Sequence, residues 1–298
     1  MGGSGSESSE SSERQFRVAC YAEVMRVVTL NIWNKSGPWK QRMQLIGAEL
    51  DRLDADVIGL QEVLELRAGS HVDNQCEEFK GSRGYVYGAA HTVMESEGGG
   101  LFFGNAVMSK HPIREHTVLP LPGDDPSDAK RALLHAVVEM PFGPVDVFVT
   151  HLSWKLHDGV LRQAQIKEVV RLIMERAPID GRYPPLLLGD LNAEPQSDEV
   201  RYLGGYTSLG EPQAVRFQDA WHYVDAQGAE GRGATFDGNR NPFAGLVHEP
   251  PRRIDYLFTR GPDARGRGKP SYVSVCFDQP ADGVFASDHF GVVADYAE

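Results

Sequence analysis

The sequence predicts an α/β fold in which two β-sheets pack face to face and helices cover the outside. Three observations carry this prediction. Fully apolar runs of strand length recur along the chain, segments with apolar residues at helical spacing lie between some of them, and no interdomain linker interrupts the pattern. A chain of 298 residues with 41% hydrophobic residues is long enough to bury such a core as one large domain.

The order of elements starts at Met25. Before it, Gly2 to Glu13 is Gly, Ser and Glu with no apolar residue, too polar to offset the entropy of ordering and unlike a secretory signal. The expectation is a disordered low-complexity segment over 1–24, with Met25 as an alternative start, and a folded domain over 25–298. Val27-Val28-Thr29-Leu30 reads as the first strand and runs into Asn31. Ser36-Gly37-Pro38 then supplies a turn with proline near a helix start, and Trp39, Met43, Ile46, Leu50 and Leu53 recur at steps that keep one helix face apolar. Val57-Ile58-Gly59-Leu60-Gln61 is a second strand, running into Glu62. Glu65 to Gly84 is polar and reads as a loop with some helix. Short strands follow at Tyr85 to Tyr87, Gly100 to Met108 and Leu133 to Met140.

Val145 to Thr150 runs into His151, Ile166, Val169, Val170 and Ile173 mark a second helix, and Leu186-Leu187-Leu188 leads into Gly189-Asp190-Leu191-Asn192. The two strand–helix–strand units, Met25 to Glu62 and Val145 to Asn192, are candidates for related halves; there is no short repeat. From Arg201 the chain is rich in Gly, Pro, Asn and Arg until Arg253-Ile254-Asp255-Tyr256-Leu257-Phe258. Strands at Tyr272 to Phe277 and Phe290 to Tyr296 close the chain, the last approached through Ser287-Asp288-His289.

One polar residue at one strand end is ordinary. Five strand ends that deliver Asn, Glu, His, Asp-x-Asn and Asp-His, with no Lys or Arg at those positions, form a pattern. Carboxylates and amides held on rigid strands suit a hard cation and a phosphate, so the combination reads as a metal-assisted phosphoryl site. The formal charge of −12 lowers the expectation of a processive nuclease, which would carry a basic face, and favours small phosphoesters. Cys20, Cys76 and Cys276 are too few and scattered for a disulfide framework or a zinc site. They point to a reducing, cytoplasmic setting. No apolar span is long enough to cross a membrane as a helix.

In this order the motifs resemble the endonuclease/exonuclease/phosphatase superfamily with the deoxyribonuclease-I-like fold. The matching segments are Thr29-Leu30-Asn31, Leu60-Gln61-Glu62-Val63, Gly104 to Lys110, Thr150-His151-Leu152, Gly189-Asp190-Leu191-Asn192, Arg253-Ile254-Asp255-Tyr256 and Ser287-Asp288-His289. The resemblance implies a four-layer α/β/β/α sandwich of two mostly antiparallel sheets, and hydrolysis of phosphomonoesters or phosphodiesters with Mg²⁺ or Mn²⁺. It implies Glu62 as principal metal ligand, assisted by Asn31 and Asp288. Asp190 positions or deprotonates the attacking water, Asn192 donates to it or to a phosphoryl oxygen, His151 donates to non-bridging oxygens, and Asp255 orients a cationic His289 that contacts phosphate or acts as an acid or base. The base is left open between Asp190 and His289, with Asp190 favoured.

Arg131 and Asn105 resemble substrate-contacting positions; the alternatives are a surface arginine and a core-edge amide. Asp255 has the alternative of pairing with Arg252 or Arg253, and Asp288 that of capping a turn. His71, His157 and His248 read as solvated loop residues. The long polar tract from Asn239 to Arg253 is expected to shape the leaving-group pocket. The expected partner is a phosphoester, small or lipid-derived, with nucleic acid as the alternative and a catalytically silent binding module as the third reading; a monomer is expected.

Overall fold

The computed structural model describes residues 24–68, 70–80, 86–92, 100–123, 130–210, 216–225, 233–245 and 249–298. The expected disorder at the N-terminus, the strand start at Tyr85, and His248 lie outside the described residues. In chain order the elements are β1 (Val24–Asn31), α1 (Trp39–Leu53), β2 (Val57–Ala68), β3 (His71–Asn74), α2 (Gln75–Lys80), β4 (Val86–Thr92), β5 (Leu101–Ser109), β6 (Ile113–Pro120), β7 (Ala132–Met140) and β8 (Gly143–His151). They continue with α3 (Gly159–Arg176), β9 (Leu186–Asp190), α4 (Asp198–Leu203), β10 (Gln218–Asp219), α5 (Ala220–Asp225), a 3-10 turn at Pro242–Ala244, β11 (Asp255–Thr259), β12 (Pro270–Cys276) and β13 (Gly291–Ala297).

One sheet runs β12-β13-β1-β2-β5-β4, with β3 paired to the far end of β2; the other runs β10-β11-β9-β8-β7-β6. Every pairing is antiparallel except β1 with β2 and β8 with β9. A parallel pair needs a crossover, and α1 and α3 supply one in each sheet. The two strand–helix–strand units read from the sequence therefore occupy equivalent places.

Alternation along the strands sorts their side chains into three cores. Val28, Leu30, Ile58 and Leu60 face Ile46, Leu50 and Leu53 of α1. Phe148, Leu187, Tyr256 and Phe258 face Ile166, Val169 and Ile173 of α3. Between the sheets Val27, Val57, Val107, Val292 and Ala294 meet Val147, Val149, Leu186, Leu188 and Leu257. The outcome is the four-layer α/β/β/α sandwich.

Parallel pairing also builds the site edge. Asn31 is in register with Gln61, and His151 with Asp190, so both parallel pairs end at one edge. Antiparallel β11 begins at that edge, with Asp255 opposite Asp190. The closest approach is at Gly189, whose φ is +145° and where a Cβ would meet the Thr150 carbonyl oxygen at 2.0 Å. Gly189→Ala is expected to cost roughly 2–4 kcal/mol in urea unfolding, because the obstacle is backbone in the ladder that carries His151 and Asp190; an unchanged midpoint would refute this.

Several elements depart from the sequence reading. β2 continues past Glu62 to Ala68 and β3 and α2 follow it, where a loop with some helix was expected between Glu65 and Gly84. β6 was not anticipated: it is an edge strand with most of its residues exposed, so it lacks an apolar run. In the Gly- and Pro-rich region after Arg201, α5 and the two-residue β10 were too short to leave a period.

Candidate active site

Glu62 lies within a strand, not at its end as the sequence suggested. Leu60 pairs with Ala106 and Val63 with Gly104, so Gln61 and Glu62 together oppose Asn105 in a bulge. The bulge resets the alternation: Leu60 and Val63 both enter the α1 core, and Glu62 takes a left-handed φ of 59°. That conformation costs a non-glycine residue of order 1–3 kcal/mol, and what it achieves is to turn a carboxylate out of the ladder toward Asn31. Asn31 Nδ2 donates to Glu62 Oε1 at 3.1 Å and Asn34 Nδ2 to Oε2 at 3.0 Å. Asn31 Oδ1 in turn accepts from Trp33 N at 3.0 Å.

Asp288 shares this neighbourhood electrostatically. Burial pushes its carboxyl up to about 6, the negative charge of Glu62 adds to that, and His289 and Arg42 oppose it. Arg42 is fully buried and its guanidinium donates to the carbonyls of Ile32, Ser36 and Ala286 between the rings of Trp33 and Trp39. It is spent on holding the turn that carries Asn34 and the turn before Asp288. The donor set left over is oxygen-rich, with two mutually repelling carboxylates and an amide. Such a set fits Mg²⁺ or Mn²⁺, whose charge would relieve the repulsion.

Asp190 is the hub of the second half. Its Oδ1 accepts from Asn192 N at 2.9 Å, and its Oδ2 from Asn31 Nδ2 at 3.1 Å, with His151 Nε2 at 3.4 Å and His289 Nε2 at 3.8 Å. Burial raises its carboxyl to about 7, Asp255 adds to the rise, and His289 and the two donors oppose it. Asn192, at a left-handed φ of 48°, donates Nδ2 to the Leu152 carbonyl at 3.2 Å. His289 Nδ1 lies 3.0 Å from Asp255 Oδ2. Burial pulls His289 down, but Asp255, Asp190 and Asp288 outweigh it and hold the imidazole well above its usual value, hence cationic. His151 goes the other way: burial, then Arg131 and His289, lower it well below its usual value. It is neutral, and its buried Nδ1 has no hydrogen-bond partner.

The alternatives for Asp255 close, because Arg253 pairs with Asp219 at 2.7 Å and Arg252 with Glu249 at 3.2 Å. Arg131 is buried beside His151 and not on the surface. Asn105 Nδ2 donates to the Ala132 and Val149 carbonyls of the opposite sheet at 3.0 and 3.4 Å, so it bridges the sheets and only its oxygen is left for a substrate. His71 and His157 are exposed, but His71 opens strand β3 and is not in a loop. The Asn239 to Arg253 tract divides: Asn241 donates to the Ser287 carbonyl and Phe243 packs at a tilt against Trp33, whereas Pro251 and Arg253 line a cleft of about 450 Å³ with Glu194, Gln196, Trp221 and His222.

Sequence reasoning missed Asn34, Arg42, Thr235 and Phe236. Thr235 Oγ1 accepts from the backbone N–H groups of Ile254 and Asp255, and Phe236 stands edge-on to His289 at 5.0 Å. Arg42 sits on a helix face and Thr235 in an irregular stretch, so neither leaves a period or motif. Asn34 had one signal, since asparagine tolerates the left-handed conformation that its turn requires.

The family model described as the endonuclease/exonuclease/phosphatase family matches residues 28–289. Among solved structures, TDP2 of D. rerio complexed with a single-strand DNA product superposes with a TM-score of 0.71 at 19% identity, over 92% of this chain and 99% of that one. An endonuclease/exonuclease/phosphatase from Beutenbergia cavernae DSM 12333 gives 0.66 at 27% identity, over 92% of this chain and 71% of that one. TDP2 from C. elegans gives 0.65 at 18% identity, over 92% and 75%. Comparison with curated proteins gives no match. The chain belongs to the endonuclease/exonuclease/phosphatase family and is a phosphoesterase dependent on Mg²⁺ or Mn²⁺.

Proposed function

We propose that this enzyme hydrolyses a small or lipid-derived phosphoester by in-line attack of a water that Asp190 activates. The observation that carries the reading is the position of Asp190, a buried carboxylate that accepts from Asn192 N and Asn31 Nδ2 and has the Nε2 atoms of His151 and His289 at 3.4 and 3.8 Å.

Glu62, Asp288 and Asn31 would hold the cation, Asn31 through Oδ1. When bound there, the cation neutralises charge on the phosphoryl oxygens. Asp190, Asp255 and His289 also bring ligand atoms within 4.8 Å of one another, but His289 Nδ1 is 3.0 Å from Asp255 Oδ2, and a hard cation takes oxygen ligands in preference to an imidazole. We therefore read that cluster as acid–base machinery. Asp190 takes the proton of the attacking water as its oxygen bonds to phosphorus. The opposite P–O bond breaks, and the leaving oxygen departs with the electron pair to be protonated by solvent. His289, steadied by Asp255, and neutral His151 donate to non-bridging oxygens as charge builds, with Asn192 Nδ2 and Arg131 beside them. The cleft beyond Asn192 receives the leaving group.

A second reading, a nuclease, has two observations in its favour. Arg201, Arg216 and Arg253 line a cavity next to that cleft, and a structural neighbour was solved with single-strand DNA. Each of these arginines is already engaged, by Asp198, the Tyr206 hydroxyl and Asp219, and in a chain of charge −12 they do not make a free basic face. Two buried, free cysteines, Cys76 and Cys276, suit a cytoplasmic enzyme, and we take it as a monomer. Among the described residues no helix is long and apolar enough to cross a membrane.

The test is a hydrolysis panel with Mg²⁺ and Mn²⁺ containing bis(p-nitrophenyl) phosphate, sphingomyelin, inositol phosphates, and abasic and single-stranded DNA. Turnover of the small or lipid esters with little on DNA is expected. DNA as the preferred substrate, with steep salt dependence of binding, would establish the second reading instead.

A further inference from the structure

Thr235 is fully buried in an irregular stretch of the chain, yet it is bonded to the backbone beside both members of the Asp255–His289 pair. Its Oγ1 accepts from the N–H groups of Ile254 and Asp255 at 3.1 and 3.2 Å, and its carbonyl accepts from Phe290 N at 2.7 Å. Arg252 closes the frame. Its carbonyl accepts from Thr235 N at 2.9 Å and Phe236 N at 3.0 Å, and its own N–H donates to the Phe236 carbonyl at 2.9 Å. The segment that opens β11 and the segment that carries His289 are therefore joined through one residue that belongs to neither.

The frame matters because the pair has little else to align it. Asp255 Oδ2 lies 3.0 Å from His289 Nδ1, but Asp255 Oδ1 is buried with no hydrogen-bond partner among the described residues. A carboxylate that no second donor clamps takes its place from its backbone, and the Asp255 N–H ends on Thr235 Oγ1. On the other side of the pair, His289 N rests on Ser287 Oγ at 3.3 Å, and the Phe236 ring stands edge-on to the imidazole at 5.0 Å. The far nitrogen of that imidazole, Nε2, lies 3.8 Å from Asp190 Oδ2. A displacement of Asp255 is thus carried through the ring to the reacting centre, where an error of about 1 Å costs on the order of a hundred-fold in rate. Support of this kind, from behind the groups that act, is what holds a site to its productive geometry.

We propose that Thr235 is a positioning residue for the reaction: its Oγ1 holds Asp255, and through it the His289 imidazole, in line with the phosphoryl oxygens. The proposal rests on the role given to His289 above. An architectural threonine that satisfies two buried N–H groups and nothing more is the alternative that the experiment separates from it.

The test is a double-mutant cycle in the full chain with Mn²⁺. Thr235→Val keeps the branched shape and removes the acceptor. Its kcat per folded molecule, on the ester of the panel above that the wild type turns over fastest, is expected to fall roughly ten- to a hundred-fold. Mn²⁺ affinity by calorimetry is expected to hold, because Glu62, Asn31 and Asp288 are untouched. In a His289→Ala background the same substitution should cost less than about threefold, since the group it positions is gone. Thr235→Ser restores the hydroxyl and should bring kcat back to within about threefold of the wild type. Thr235→Cys, whose sulfur is a weak acceptor, takes the place of valine in the cycle if the valine variant does not fold.

Equal fold-losses in the two backgrounds overturn the proposal and leave Thr235 architectural. So does an undiminished kcat in Thr235→Val at equal folded fraction, or a Thr235→Ser as impaired as the valine variant. Wild-type kcat in His289→Ala, or no turnover across the panel, instead overturns the parent role of His289, and the proposal with it.

Discussion

Glu62→Gln is expected to lower metal-dependent turnover by roughly 10³-fold or more and to abolish measurable Mn²⁺ binding by calorimetry. Glutamine keeps the volume of the side chain, and its Oε1 can still accept from Asn31 or Asn34, each about 3 Å from a Glu62 oxygen now. What goes is the charge. Asp288, which Glu62 now pushes up, is then the one carboxylate left in the proposed metal set, and a single carboxylate does not hold a divalent cation that a pair was shaped for. The bulge at Gln61 and Glu62 serves the same end, since its strained φ persists only because neighbouring strands enforce it. The glutamine NH₂ is set against one of the two amide donors, Asn31 or Asn34, so at this half-buried position a loss of about 1 kcal/mol in stability is expected. Wild-type rates in Glu62→Gln, or turnover undiminished by EDTA, would remove the metal from the Glu62 side.

Which parts of this were legible in the sequence follows from physical scale. The strands that carry Asn31, His151 and Asp190 are largely buried on both faces, so they appear as mostly apolar runs, broken at Arg26 and Thr29 in β1 and at Asp146 in β8, and their polar ends stand out. α1 and α3 are long enough for the apolar positions Ile46, Leu50 and Leu53, or Ile166, Val169 and Ile173, to show a period. The bulge was hidden because one extra residue in a strand leaves no composition signal, although the shift from Leu60 to Val63 as successive core positions is visible once known. Arg42 was hidden for a different reason. Its partners are backbone carbonyls and aromatic rings, and these are spread over two turns far apart in sequence. Asn105 shows the converse: the motif was visible, but its amide hydrogens go to the Ala132 and Val149 carbonyls across the sandwich, which only the meeting of two sheets could reveal.

Asp190→Asn separates water activation from metal binding. The amide cannot take a proton, so kcat should fall by roughly 10²- to 10⁴-fold while Mn²⁺ affinity stays within a few-fold, since Glu62 and Asp288 are intact. The substitution also has a structural cost that must be measured. Asp190 accepts from Asn192 N on one oxygen and from Asn31 Nδ2 on the other; an asparagine turned either way sets its own NH₂ against one of these donors, at a cost of about 1–3 kcal/mol. Melting temperature therefore has to accompany the kinetics. His289→Ala is the companion measurement. It removes a cation held by Asp255 at 3.0 Å and so weakens the stabilisation of phosphoryl charge, but it leaves Asp190 able to accept the proton of water. If Asp190 is the base, His289→Ala costs less in kcat than Asp190→Asn at equal folded fraction. The opposite order would move the base to His289 and leave Asp190 as the group that positions the water.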